Sequence, residues 1–310
     1  MMAIRAFGAI LLSLVCATIL SGQNAKAANP AAAPPNVLLL LHQEILPGRA
    51  TDRQKLQTNI SRACDRLDVP SFWIDLQSLT GPREALVFDT FDSFKQMQQS
   101  DVIWRQFDAA HPDLARVKDD IEALVESERK IIAVRRDDVG YLSDSVDLSE
   151  MRFLRVLEAR LFPGHESDFV EALRILAEAY TKINADAPWL VYQVNLGMSS
   201  PAFLILMPMS ELRQNDDLLS WRDNLLGAEG EQGSERLKQI ARESYVSTES
   251  NLYVVKPEMS HVSKEFAAGD ADFWMHKTEP NGKPGTRPFL NPTVSYSKRK
   301  TYNQQLRKAL

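Results

Sequence analysis

The chain is poor in the residues that staple or metallate a fold. Only two cysteines, Cys16 and Cys64, occur in 310 residues, and the first lies in a segment read below as removed. A lone Cys64 excludes an internal disulfide, even in a compartment that would permit one. It sits on the apolar stripe of an expected helix, where a thiol is a core side chain; a reactive cysteine needs an electropositive, partly exposed setting. Five histidines with no His-x-x-x-His pair leave no tight metal-ligand motif, so no metal is expected. Haem could reach only His42 or His261, and no motif supports it. Gly-x-Ser-x-Gly, the phosphate-cradling glycine loop and the dinucleotide fingerprint are all missing, so no bound cofactor is expected. Beyond the first residues no apolar run approaches the roughly 20 needed to cross a bilayer, so no transmembrane segment is expected either.

What is there begins with an export signal over 1–27. Arg5 gives a positive start, Ala9 to Leu20 an apolar core, and Ala25-Lys26-Ala27 a small-x-small cleavage pattern. Ser13-Leu14-Val15 lacks the small residues that precede a lipidated Cys16. The expected mature protein is periplasmic or secreted, with a flexible Ala/Pro leader over 28–35. Arg5 and Lys26 leave with the signal; 34 basic side chains then face 41 acidic ones, a net charge of −7. Nucleic acid is not an expected partner, because phosphate binding needs a basic face. The end of the chain, 263–310, is different. Pro280, Gly282, Pro284, Gly285, Pro288 and Pro292 punctuate it, and Lys298, Arg299, Lys300, Arg307 and Lys308 follow without an acid. It reads as a solvated tail able to touch an anionic envelope surface, its first part anchored by Phe266, Phe273 and Trp274.

Between these ends the chain is written twice, about 116 residues apart. Ile45-Leu46-Pro47-Gly48 returns as Leu161-Phe162-Pro163-Gly164, Trp73 as Trp189 and Gly81 as Gly197. The stripe Leu56, Ile60, Cys64, Leu67 returns as Ala172, Leu176, Tyr180, Ile183. Two copies of one fold are implied, over 36–145 and 146–262. In the first copy, strand Val37 to Leu46 leads to a helix over Asp52 to Leu67, strands Phe72 to Ser78 and Arg83 to Thr90, helices Ser93 to Ala110 and Pro112 to Arg129, and a strand from Lys130. The second copy repeats that order, ending with helices to Ser247 and a strand from Asn251. The pattern β-α-β-β-α-β is a ferredoxin-like unit, whose sheet carries helices on one face only. Two such units hide their bare faces by packing sheet to sheet. The expected fold class is therefore α+β: two tandem ferredoxin-like domains forming an intramolecular barrel.

The strand-Pro-Gly-helix run from Arg155 to Gly164, with Phe169 one turn into the helix, resembles the dimeric α+β barrel superfamily. The NIPSNAP-like and antibiotic-biosynthesis-monooxygenase-like families are nearest. The resemblance spans both repeats and implies a pseudo-dimer whose sheets enclose a pocket. Members of the families it resembles include cofactor-independent oxygenases, haem-handling proteins and proteins of no known activity. No family catalytic motif can be carried over onto these residues.

Strand alternation sorts the candidate site residues. In the first strands Leu38, Leu40, His42 and Glu44 share a face, matched by Leu154, Val156, Glu158 and Arg160; in the second strands Trp73, Asp75 and Gln77 match Trp189, Val191 and Gln193. Placed inside the barrel, His42, Glu44, Trp73, Asp75, Glu158, Arg160, Trp189 and Gln193 make a polar, aromatic-walled cavity. His42 is the acid–base candidate, since its unperturbed pKa lies near neutrality, and Arg160 the holder of an anionic oxygen. Glu44, Trp73, Asp75, Glu158, Trp189 and Gln193 are ligand-binding candidates. The expected function is binding of a small, partly aromatic ligand between the repeats, with oxygenase-type chemistry. The alternative is a non-catalytic envelope or interaction module whose barrel is packed and salt-bridged; an interior cavity of roughly 300 Å3 or more separates the two.

Overall fold

The computed structural model describes residues 30–275. Strand β1 (Val37–Ile45) leads to α1 (Ala50–Leu67), β2 (Trp73–Ser78), β3 (Glu84–Phe91), α2 (Phe94–Ala110), α3 (Pro112–Glu122) and β4 (Val125–Arg135). The order returns as β5 (Phe153–Leu161), α4 (Glu166–Lys182), β6 (Leu190–Leu196), β7 (Ala202–Met209), α5 (Gln214–Ser220), α6 (Arg222–Glu243) and β8 (Tyr245–Val255). Two short helices, α7 (Lys264–Ala267) and α8 (Ala271–Trp274), follow. Local signals account for several boundaries. Ser93 caps α2 by accepting from Gln96 N–H, and Pro112 opens α3, where its missing N–H is not needed. Gly197, between β6 and β7, has φ +93°, and its bare Cα lies against the Lys130 carbonyl of β4.

Each repeat builds one antiparallel sheet, β4-β1-β3-β2 and β8-β5-β7-β6, and the pairs β2–β8 and β4–β6 join them into a closed eight-stranded barrel. The fold is α+β, with two ferredoxin-like repeats in one barrel, as the doubled sequence implies. Closure leaves neither sheet with a complete open edge. Strands β4 and β8 start earlier than expected, at Val125 and Tyr245, where the sequence reads as helix to Arg129 and Ser247. Their first halves are polar and exposed, which resembles a solvated helix; pairing with β1 and β5 holds them extended.

The interior face is apolar. Leu38, Leu40, Ile74, Leu76, Leu86 and Phe88 of the first repeat and Leu154, Val156, Leu190, Tyr192, Leu204 and Tyr253 of the second belong to one buried cluster. Packed side chains thus occupy the place of the expected polar cavity. The alternation is right for β1 and β5 and one residue out for β2 and β6. There Ile74, Leu76, Leu190 and Tyr192 point inward, and Trp73, Asp75, Trp189 and Gln193 face the helices.

Segments at both ends of the described chain, and the linker between the repeats, join that interior cluster. Ala32, Leu148, Phe266 and Trp274 are buried in it. The Trp274 indole donates to Ser149 O at 2.7 Å, Arg152 stacks on Phe273 at 3.6 Å, and Tyr192 donates to Pro35 O at 2.8 Å. Residues 30–35 are therefore docked where a flexible leader is expected, and the first part of the tail is anchored by Phe266, Phe273 and Trp274 as expected. The expected export signal and the basic residues of the tail lie outside the described residues. Among those described, no helix is long and apolar enough to cross a membrane.

Candidate functional site

His42 and Glu158 hold equivalent places in the two repeats, on β1 and β5, the first and fifth strands of the ring. Their side chains nevertheless meet, His42 Nδ1 lying 3.9 Å from Glu158 Oε1. Arg129 of β4 approaches both, 3.0 Å from His42 Nδ1 and 3.6 Å from Glu158 Oε2. A donor at Nδ1 suits the tautomer with its proton on Nε2, the nitrogen 3.0 Å from Glu84 Oε2. That contact is close, but its angle is not that of a hydrogen bond. Glu84 also accepts from the Tyr253 hydroxyl at 2.9 Å. Burial pushes the Glu84 carboxyl up, but His42, Tyr253 and Arg129 outweigh it and leave the pKa below the ordinary value. For Glu158 burial prevails over Arg129 and His42, and the pKa is raised. These groups tie the repeats together across the barrel. Arg160 joins none of these contacts, and its Nε is buried without a hydrogen-bond partner among the described residues; Glu44 is exposed.

The remaining candidates lie outside the barrel. Trp189 packs with Tyr141 and Tyr180 under the helices of the second repeat, and Gln193 accepts from Arg136 at 2.9 Å. Asp75 takes both terminal nitrogens of the fully buried Arg53, at 3.3 and 2.8 Å, and Arg53 also donates to Gln43. That network explains why a strand with an apolar inner face carries a carboxylate on the other.

Trp73 leads to a different site. On the helix side of the first sheet lies a cavity of about 700 Å3, walled by α1, α2 and α3. Leu39, Ile60, Trp73, Val87, Phe91 and Trp104 give it an apolar, aromatic surface. Trp73 is fixed by donating to Met259 O at 2.8 Å and packs on Trp104 with ring centres 5.8 Å apart. Beside Trp73 in the ladder stands Asp89 of β3. Its carboxyl lines the cavity and has no hydrogen-bond partner among the described residues. Protein atoms surround it at longer range, and the surface it keeps faces the cavity. Desolvation lifts its pKa to about 7, with Lys130 pulling weakly the other way. A lone carboxyl that changes charge near neutrality, in a cavity large enough for a small molecule, is a proton acceptor and donor in waiting.

Sequence reasoning passed over Asp89. The available signal is an acid inside the apolar run Ala85–Phe91, with Met207 at the equivalent place in the second repeat. Cys64 is buried beneath this site, as a core thiol should be. Neither His42 nor His261 lines the cavity; both ring nitrogens of His261 are engaged, by Asp65 at 2.7 Å and Val69 O at 2.8 Å.

No protein-family model matches the chain, and no curated protein matches it in sequence. Solved structures with a similar backbone do exist. An anthrone oxidase-like protein aligns with 73% of this chain and 93% of its own at 13% identity and a TM-score of 0.47. A chlorite dismutase variant from Candidatus Nitrospira defluvii covers 74% and 94% at 10% identity and a TM-score of 0.41. A heme-binding protein from Thermus thermophilus covers 78% and 97% at 8% identity and a TM-score of 0.39. Such distant likenesses leave function to be argued from the site.

Proposed function

We propose that the first repeat binds a small, partly aromatic molecule in the cavity between its sheet and helices, and that Asp89 exchanges a proton with it. The supporting observation is the unpartnered Asp89 carboxyl, desolvated to a pKa of about 7 between tryptophan walls. Deprotonated, it accepts a proton from a phenol or an activated C–H; protonated, it returns one. Taking that proton raises the electron density of an aromatic ring and prepares it for reaction with dioxygen, the cofactor-independent chemistry that the sequence resemblance implies. Trp73 and Trp104, packed on each other, offer the ring an aromatic wall, and the charged side chains of Lys118, Glu122 and Lys130 among the lining groups orient polar substituents. The export read from residues 1–27 belongs to the same proposal and places this site in a periplasmic or secreted protein.

Anthrone, with an acidic methylene between two rings, is a suitable probe. Quenching of tryptophan fluorescence reports binding, and an oxygen electrode reports turnover. The expected result is saturable quenching in the wild type, loss of it when Gln57→Trp fills the cavity, and oxygen uptake that rises with pH around 7 and disappears in Asp89→Asn. Quenching untouched by Gln57→Trp, or uptake untouched by Asp89→Asn, would sink the proposal.

A further inference from the structure

The second repeat has its own cavity between sheet and helices, of about 390 Å3. Met207, Leu218, Leu219 and Leu225 make its walls apolar, and Arg155 and Tyr180 bring polar groups to it. The ladder pairs Arg155 with Met207 across β5 and β7, as it pairs Leu39 with Asp89 across β1 and β3. The same cross-strand pair thus carries a carboxyl on β3 in one repeat and a guanidinium on β5 in the other. The helix-side cavities are equivalent in place and differ in the charged group that this pair brings to them.

Arg155 has no compensating carboxylate. Its Nε donates to Ser250 Oγ at 2.9 Å, and among the described residues no acid lies within ion-pair distance. The Tyr180 hydroxyl, close enough to feel the Arg155 charge, has no hydrogen-bond partner among the described residues. Glu229 also lines the cavity, but its carboxylate accepts from Ser234 at 2.9 Å, and Asn215 turns its amide nitrogen to Leu212 O. A half-exposed cation beside apolar walls is a ready partner for an anion that brings an apolar body with it. A planar guanidinium with a neighbouring hydroxyl donor suits a carboxylate, by charge-assisted hydrogen bonds.

We propose that the second repeat binds a monocarboxylate with an apolar tail, the carboxylate on Arg155 and Tyr180 and the tail among Met207, Leu218 and Leu225. The site is separate from the Asp89 cavity, and its occupancy does not depend on the chemistry proposed there. The test uses octanoate and 1-octanol, equal in tail and different in charge, titrated into the protein by calorimetry. Octanoate is expected to bind once per chain and at least tenfold more tightly than 1-octanol. Arg155→Leu, which installs the residue the first repeat has at this position, is expected to weaken octanoate at least tenfold and leave 1-octanol unchanged; Arg155→Gln guards against a folding failure. Tyr180→Phe should weaken octanoate several-fold, and Gln57→Trp, which fills the other cavity, should have no effect. Octanoate binding that survives both Arg155 variants, is matched by 1-octanol, or is lost in Gln57→Trp would overturn the proposal.

Discussion

Asp89→Asn removes one charge and almost no volume, so its effect on stability reads the cost of ionising that carboxyl in place. The native pKa of about 7 stands above the 3.8 of an unperturbed aspartate, which means that the folded state binds the proton more tightly. The stability associated with this proton is complete below pH 3.8, declines as pH rises, and is gone once pH has passed through 7. At ~1.4 kcal/mol per pH unit, full desolvation would cost about 4 kcal/mol at pH 8. The carboxyl faces a cavity that water can enter, and about half of that figure is expected. Urea unfolding of both proteins at pH 5, 6, 7 and 8 isolates the titration, because any fixed packing difference between Asp and Asn cancels. The stability of Asp89→Asn relative to wild type should climb by about 1–3 kcal/mol from pH 5 to 8 and level off above that. A difference that stays flat with pH, or falls, would show that Asp89 is as well solvated as a surface carboxylate, and the reasoning for the first-repeat site would fail with it.

Two further outcomes follow from buried geometry. Arg53→Met should cost about 3–5 kcal/mol in urea unfolding, because it strands Asp75 without its partner; combining it with Asp75→Leu should recover much of the loss. Gly197→Ala, whose new methyl would overlap the Lys130 carbonyl at a φ of +93°, should destabilise by several times the ~1 kcal/mol expected of Gly164→Ala, where φ is +91° and the space is open. Similar midpoint losses for the two alanine variants would show that the β6–β7 turn does not press on β4 as described.

The doubled sequence made the fold readable, because each strand-Pro-Gly-helix run checks the other. Alternation placed His42 and Glu158 inside, since Leu38, Leu40, Leu154 and Val156 make that face plainly apolar. The same rule fails for Trp73-Ile74-Asp75-Leu76-Gln77. Period two separates two faces without saying which is inner, and a one-residue error exchanges them all. Asp75 looks like a cavity group until Arg53, a helical residue 22 positions earlier, is seen to claim it. The cavity itself was out of reach of any local pattern. It exists because α1, α2 and α3 stand away from the sheet, and that distance is set by tertiary packing.

The encounter of His42 with Glu158 bears on how such a barrel could have arisen. In a symmetric pair of identical chains, each of these positions would face its own copy: imidazole against imidazole, or carboxylate against carboxylate. Joining the halves in one polypeptide frees the two positions to diverge, and Arg129 then bridges the imidazole and the carboxylate. Neither half, expressed alone, is then suited to associate with itself. Two copies of the first would bring each Arg129 to an imidazole in place of the Glu158 carboxylate, and two copies of the second would crowd Glu158 with its twin. The covalent link holds together halves that no longer match themselves, and the repeat survives in the backbone while its symmetry has been given up in the core.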